Sequence, residues 1–308
     1  METDLTIAYY QQDIVWEDPE ANFRKAEEAF AHVGRKMDIM VVPETFNTGF
    51  SDNMAAMAER PEGPAFQFAL RMARKHDALF VGTWTVADTA EDGAAGIFNR
   101  LHWVRPDGTY GTYDKGHTFR MSSEARQLRR GNSREVFEWR GWRIKPAICY
   151  DLRFPRWLRN SVAPSDRLPG TPYDRLRNCE QIDKATNDLD IPLDYDLLLI
   201  CANWPATRRD AWQTLLKARA IENVCYVVGV NRSGTDGVGI PYSGDSAAID
   251  CKGMAINSCQ PDADQGRTAT LSRHHKRSHN AENRIAFLSG RRPRAESFLR
   301  CLYCFFLL

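Results

Sequence analysis

The chain has 308 residues, a net charge of +1, 43% hydrophobic residues and 26% charged residues. This is the make-up of an ordinary globular protein, long enough for one large α/β domain or two small ones. It excludes a whole-chain electrostatic case for nucleic acid or an anionic membrane, and no apolar run approaches the ~18 residues of a membrane span.

The start, Met1-Glu-Thr-Asp-Leu-Thr-Ile7, is acidic and then strand-like, unlike a secretory signal. Leu5 to Tyr9 reads as a strand. From Pro19 to Val33, apolar Phe23, Ala26, Ala29, Phe30 and Val33 recur at helical spacing. Asp38 to Pro43 is the next strand, Gly63 to His76 a helix opened by Gly-Pro, and Ala78 to Trp84 a third strand. Phe98–Val104 and Gly111–Tyr113 form a hairpin around Pro106-Asp-Gly108, since Asp-Gly favours the tight turn. Val136 to Ile148 holds two strands around Arg140-Gly141. After Asp196–Asn203 comes a helix from about Asp210 to Asn223, then the strands Val224–Val230 and Tyr242–Ile249.

Alternating helices and hairpins suggest a layered α/β sheet rather than an all-parallel dinucleotide fold. No GxGxxG follows the first strand. The segment 160–193 is rich in Pro, Arg and Asp and reads as a surface insert, too long for an ordinary connection. A domain over 1–264 with that insert, and a basic tail over 265–308 expected to be a poorly ordered terminus, is the predicted organisation. The eight cysteines make no disulfide framework, and Cys149, Cys201 and Cys225 lie in apolar runs, as reduced core thiols do. A reducing, cytoplasmic setting is therefore expected. Cys301-Leu-Tyr-Cys304 is a lone CxxC without further ligands, so no metal is expected.

Three strand ends carry the chemistry. Ile144–Ile148 delivers Cys149, Val41-Val-Pro delivers Glu44, and Gly111–Asp114 delivers Lys115. A free cysteine is only a few per cent ionised near neutrality, so a nucleophilic thiol needs a base or a nearby cation. Glu44 is the candidate base, and would later donate the same proton to a leaving amine. Lys115 is expected to lower the thiol pKa and to hold a developing oxyanion, with the backbone N–H of Tyr150 sharing that load. Each residue also has a plain structural alternative. Cys149 can be ordinary core, Glu44 can cap a turn, and Lys115 can pair with Asp114.

Pro43-Glu-Thr-Phe-Asn-Thr-Gly-Phe50, Tyr113-Asp-Lys-Gly-His-Thr-Phe119 and Ile148-Cys-Tyr-Asp-Leu-Arg-Phe-Pro155 resemble the three signature blocks of the nitrilase (carbon–nitrogen hydrolase) superfamily, in the same order. The similarity continues through Ala202-Asn-Trp-Pro205, Lys217–Asn223 and Asn231–Gly237 to Tyr242–Ser246, covering residues 4 to about 260 outside the insert. The resemblance implies a four-layer αββα sandwich and a Glu44–Lys115–Cys149 triad, with Glu124 matching a second glutamate and no cofactor.

Trp139-Arg-Gly-Trp-Arg143, the Cys149 block and Ala-Asn-Trp-Pro look most like the omega-amidase branch. That branch hydrolyses the side-chain amide of 2-oxo dicarboxylic acid monoamides through a cysteine thioester. A 2-oxo acid end needs a cationic anchor, for which Arg153 and Arg208 stand at suitable positions, with Trp204 and Phe119 as apolar walls. An N-carbamoyl amino-acid amidohydrolase or a nitrilase would keep the same triad, and a non-catalytic, interaction-type member is a reading of another class. The expected partner is a small-molecule amide, with a homodimer if the tail permits. Beyond Leu271 the sequence departs from the family's usual ending, and a frame-shifted gene end is one explanation.

Overall fold

The computed structural model describes residues 4–89, 93–160 and 193–272. The body of the 160–193 insert, the tail beyond 272 and its Cys301–Cys304 pair lie outside the described residues. The unit described below is Asp4–Leu271.

Strand β1 (Leu5–Gln11) is followed by helix α1 (Pro19–Ala31), β2 (Ile39–Val41), the short α2 (Met54–Met57) and α3 (Pro64–His76). Next come β3 (Leu79–Thr89), β4 (Ala95–Val104), β5 (Tyr110–Asp114) and the single-turn α4 (Glu124–Gln127). The second half holds β6 (Phe137–Trp139), β7 (Trp142–Ile148), β8 (Leu197–Ala202), α5 (Arg209–Asn223) and β9 (Tyr226–Asn231). A small hairpin, β10 (Ser233–Thr235) and β11 (Pro241–Ser243), precedes β12 (Ala247–Ile249), β13 (Ala255–Ser258) and β14 (Gln265–Leu271).

Two six-stranded sheets result, ordered β14-β1-β2-β3-β4-β5 and β13-β12-β9-β8-β7-β6. Each has three parallel strands at its centre (β1, β2, β3 and β7, β8, β9) and antiparallel strands outside them. The sequence carries no visible repeat, yet both halves share this plan.

Side chains alternate across a strand, and the two faces of the first sheet accordingly bury different sets. Leu5, Ile7 and Tyr9 of β1, with Ile39, Val41, Leu79 and Val81, join Ile144, Leu197 and Leu199 of the second sheet in one core. Ala8 and Tyr10, with Met40, Val42 and Phe80, face Phe23, Ala26 and Phe30 of α1 and Phe68, Ala69 and Met72 of α3 in another. Helix α5 covers the second sheet with Trp212, Leu216 and Ala220. The layers are helix, sheet, sheet, helix, the four-layer sandwich that the signature blocks imply.

Local chemistry sets the helix ends. Asp18 accepts the Ala21 N–H (3.0 Å) ahead of Pro19, and Pro64 opens α3. Helix α5 closes on Val224 at φ +47°, with its N–H on the α5 carbonyls. A β-branched residue is disfavoured in that left-handed conformation. Val224→Gly is expected to raise the unfolding free energy by roughly 1 kcal/mol in urea titration; equal or lower stability would contradict this reading of the cap.

One boundary moves. The domain was expected to end at residue 264, but Gln265–Leu271 pairs with the whole of β1, from Gln11↔Gln265 to Leu5↔Leu271. It is an edge strand in which only Ala269 and Leu271 are buried, so its polar composition resembles tail. Among the described residues no helix is long and apolar enough to cross a membrane.

Candidate active site

The parallel centres of the two sheets bring the three strand-end residues together. Glu44 follows β2 by three residues and is fully buried. The loop carrying it is anchored by Phe46, which packs against Phe23, Phe68, Phe80 and Trp84 with ring centroids 5.8–6.1 Å apart. Lys115 follows β5 directly, its N–H on the Asn99 carbonyl (3.0 Å), and is 1% exposed. Cys149 opens a short 3-10 turn, Cys149–Arg153, at the end of β7, with φ +43°. A non-glycine residue held there is strained and persists where its surroundings over-determine it.

Lys115 Nζ donates to Glu44 Oε1 (2.8 Å) and to both oxygens of Glu124 (2.9 and 3.0 Å). Asn99 Nδ2 bridges the same two carboxylates, at 2.8 Å from Glu44 Oε1 and 3.1 Å from Glu124 Oε1. The second oxygen of Glu44 accepts the Asn203 N–H (2.7 Å), and that of Glu124 accepts the Phe119 N–H (2.6 Å). The thiol of Cys149 is 3.8 Å from the Asn203 carbonyl and feels the charge of Glu44. Among the described residues, Asp114 binds Arg100 (2.6 and 3.0 Å) rather than Lys115.

Electrostatics correct one expectation. Burial opposes charge on Lys115, but Glu124 and Glu44 more than offset it, so the ammonium is held charged above the ordinary lysine range. Burial pushes the Glu124 carboxyl up, and Glu44 adds to this against the pull of Lys115. Lys115 was expected to lower the Cys149 pKa. It does pull in that direction, yet burial and then the Glu44 charge outweigh it and raise the thiol well above its usual value. The resting residue is a protonated thiol, and a thiolate has to be made by moving its proton to a neighbour.

The cluster opens into a cavity of about 480 Å³ lined by Lys115, Cys149 and Tyr150, and by the four residues picked out as substrate contacts, Phe119, Arg153, Trp204 and Arg208. The Arg153 guanidinium lies 5.0 Å over the Trp204 ring and that of Arg208 lies 5.1 Å over Phe119. Among the described residues no carboxylate pairs with either arginine, whereas neighbouring Arg209 is held bidentate by Asp245 at 2.8 Å. Of the two acids in the lining, Asp236 is already taken by the Val238 and Ile240 N–H groups and by the Tyr242 hydroxyl, and Asp52 accepts the Ser123 hydroxyl.

Sequence reasoning missed Asn99, Asn203 and Asp151. Asn203 stood in the Ala-Asn-Trp-Pro block, but it contacts Glu44 and Cys149 through backbone groups that any residue has. Asn99 left no signal, since β4 also carries Arg100 and His102 and nothing marks one polar residue above the others.

A family model for carbon–nitrogen hydrolases matches residues 6–166 and 192–278. The omega-amidase YafV of Yersinia enterocolitica is 40% identical over 267 residues, which cover 87% of this chain and 88% of that protein. A 2-oxoglutaramate amidase of Bacillus subtilis (strain 168) is 28% identical over 253 residues, covering 82% and 85%. The crystal structure of XC1258 from Xanthomonas campestris, described as a CN-hydrolase superfamily protein with an arsenic adduct in its active site, superposes with a TM-score of 0.78 at 36% identity, covering 94% and 97%. Matched along most of its length by the family model and by these relatives, the chain belongs to the carbon–nitrogen hydrolase family, as a hydrolase of carbon–nitrogen bonds other than peptide bonds and an amidase of the nitrilase type.

Proposed function

We propose that this amidase removes the omega-amide of 2-oxo dicarboxylic acid monoamides such as 2-oxoglutaramate and 2-oxosuccinamate, releasing the dicarboxylate and ammonia. The observation that carries the reading is one cavity holding a buried thiol, a charged lysine and four arginines without a carboxylate partner among the described residues, Arg120, Arg126, Arg153 and Arg208, of which the last two lie over aromatic rings. The omega-amidase and 2-oxoglutaramate amidase relatives support the substrate class.

In this scheme Cys149 Sγ attacks the amide carbon while its proton passes to Glu44. The tetrahedral oxyanion is held by Lys115 Nζ and the Tyr150 N–H. Glu44 then protonates the nitrogen, the C–N bond breaks, and ammonia leaves a thioester on Cys149. Glu44 next takes a proton from water, the hydroxide adds to the thioester carbonyl, and the C–S bond breaks. The proton on Glu44 returns to sulfur, so the cycle closes on one molecule of water. Glu124 keeps Lys115 charged and in place throughout. Splitting one difficult hydrolysis into two acyl transfers needs neither metal nor organic cofactor.

The raised thiol pKa suits this order of events. A resting thiol stores the proton that the leaving nitrogen needs, and Glu44 only relays it. In the same cavity Arg153 and Arg208 bind the 2-oxo acid carboxylate, each guanidinium held over an aromatic ring.

Ammonia release tests the proposal with 2-oxoglutaramate, 2-oxosuccinamate, glutamine, an N-carbamoyl amino acid and a simple nitrile. Turnover of the first two and little of the others is expected, and robust turnover of only the nitrile or the carbamoyl compound sinks it. On the preferred substrate, Arg208→Ala is expected to raise KM roughly tenfold or more, as loss of a charge-assisted hydrogen bond does. An unchanged KM would remove Arg208 from the anchor.

A further inference from the structure

Two of the signature blocks contain side chains that the reaction scheme leaves idle: Tyr113 and His117 on either side of Lys115, and Asp151 two residues past Cys149. They meet at one carboxylate. Asp151 is fully buried. Its Oδ2 accepts the Tyr113 hydroxyl (2.8 Å) and the Ile148 N–H (3.1 Å). Its Oδ1 accepts the His117 N–H (2.9 Å) and the His117 ring at Nδ1 (2.8 Å). A carboxylate only accepts, so the ring nitrogen facing it carries the hydrogen.

Each bond reaches across the site. Through Ile148, the carboxylate bridges back over Cys149 and closes the turn that keeps the nucleophile at φ +43°. Through Tyr113 and His117, it grips the chain two residues before and two residues after Lys115. The partners are themselves pinned. The Tyr113 hydroxyl also accepts the Gly116 N–H (3.2 Å) and Trp157 Nε1–H (3.0 Å), and the His117 ring stacks on Phe154 with centroids 3.6 Å apart. Asp151, Tyr113 and His117 all lie outside the lining of the cavity, so they act on a substrate only through other residues.

We propose that Asp151 is the positioning residue of this enzyme: it locks the strained Cys149 turn to the Lys115 strand end and so sets the distance between nucleophile and oxyanion cation. The inference rests on reading Cys149 and Lys115 in those roles. A fully buried carboxylate with four donors is hard to replace, because an amide of the same shape offers one acceptor oxygen and turns its NH2 toward a donor. In Asp151→Asn either the Ile148 N–H or the His117 N–H loses its acceptor, and the turn and the lysine segment are uncoupled.

The experiment measures kcat and KM of Asp151→Asn at a temperature where circular dichroism shows it folded. Substrate-contacting groups are untouched, so KM is expected to stay within about threefold while kcat falls on the order of 10- to 100-fold, the scale of a small misplacement of reacting groups. A merely structural role would lower thermal stability without that split. Alkylation of Cys149 by chloroacetamide, located by peptide mass spectrometry, reads the same geometry without a substrate and is expected to slow by about tenfold. If the wild type turns over no amide of the panel, the substrate reading has failed, and the alkylation rate alone decides this one. A folded Asp151→Asn with wild-type kcat, or in that case with a wild-type alkylation rate, overturns the proposal. Should Asp151→Asn not fold, Tyr113→Phe and His117→Ala decide by the same measure, since each removes one donor and leaves the carboxylate. They are expected to lose about three- to tenfold in kcat at constant KM, and wild-type kcat in both overturns the proposal.

Discussion

Cys149→Ala is expected to lower ammonia release by roughly 10⁴-fold or more, since removing a nucleophile leaves only binding and oxyanion stabilisation. The substitution should be quiet structurally. The lost sulfur makes one long contact, 3.8 Å to the Asn203 carbonyl, and alanine fills the same left-handed backbone position. A change in unfolding free energy within about 1 kcal/mol is therefore expected. Three observations belong to one experiment: turnover, a thermal melt, and trapping of the acyl-enzyme in the wild type by acid quench and mass spectrometry. A variant that keeps turnover within tenfold of the wild type would reassign the nucleophile, and an acyl group found on another residue would do the same.

The second large effect belongs to Lys115→Met, which removes the ammonium between Glu44 and Glu124 while keeping the length of the side chain. Turnover should fall by about 10²- to 10³-fold, the loss seen when one oxyanion donor is deleted. Stability should fall as well. Breaking a buried ion pair from one side costs about 3–5 kcal/mol, because the partners are left charged and dry. Glu124 suffers most. Burial and Glu44 already raise its pKa, and without Lys115 it would rise further.

The pH dependence follows from that sign. A carboxyl whose folded pKa exceeds its unfolded value gives stability that is fully present below the unfolded pKa and is lost as pH rises through the folded pKa. The variant should therefore recover part of its lost stability at pH 5 relative to pH 8. Urea titrations at the two pH values check this, and an equal deficit at both would mean that Lys115 does not offset the Glu124 charge. In the wild type the lysine is held charged above its ordinary range, so this contribution stays constant through neutral pH.

Much of the molecule was legible beforehand because its elements obey local rules. Proline and Asp18 open α1, the Asp-Gly turn joins β4 to β5, and Arg140-Gly141, both at positive φ, turn β6 into β7. The edge strand β14 escaped because an exposed edge buries so little. Gln265-Gly-Arg-Thr-Ala-Thr-Leu271 has the composition of a tail, and its pairing partner lies more than 250 residues away. Of the site, Glu44, Lys115 and Cys149 were named from their blocks and Glu124 from the family resemblance, and the structure sets both glutamates on the Lys115 ammonium. Asn99 was invisible because its role is a side-chain bridge between two residues that are distant in sequence.

By itself the sequence determined which chemistry is available: a cysteine, a glutamate and a lysine, each delivered at the end of a strand by an apolar run that must be buried. It also determined the layered α/β class, since strand and helix periods are local properties. What only the tertiary structure decided is the state of those groups. Whether Cys149 rests as thiol or thiolate depends on burial and on the balance of Glu44 against Lys115, quantities that exist only once the sheets are packed. The same holds for Arg153 and Arg208. Charge on an arginine is certain from sequence, but whether a carboxylate faces it within the fold is a matter of distance, and distance belongs to the folded chain.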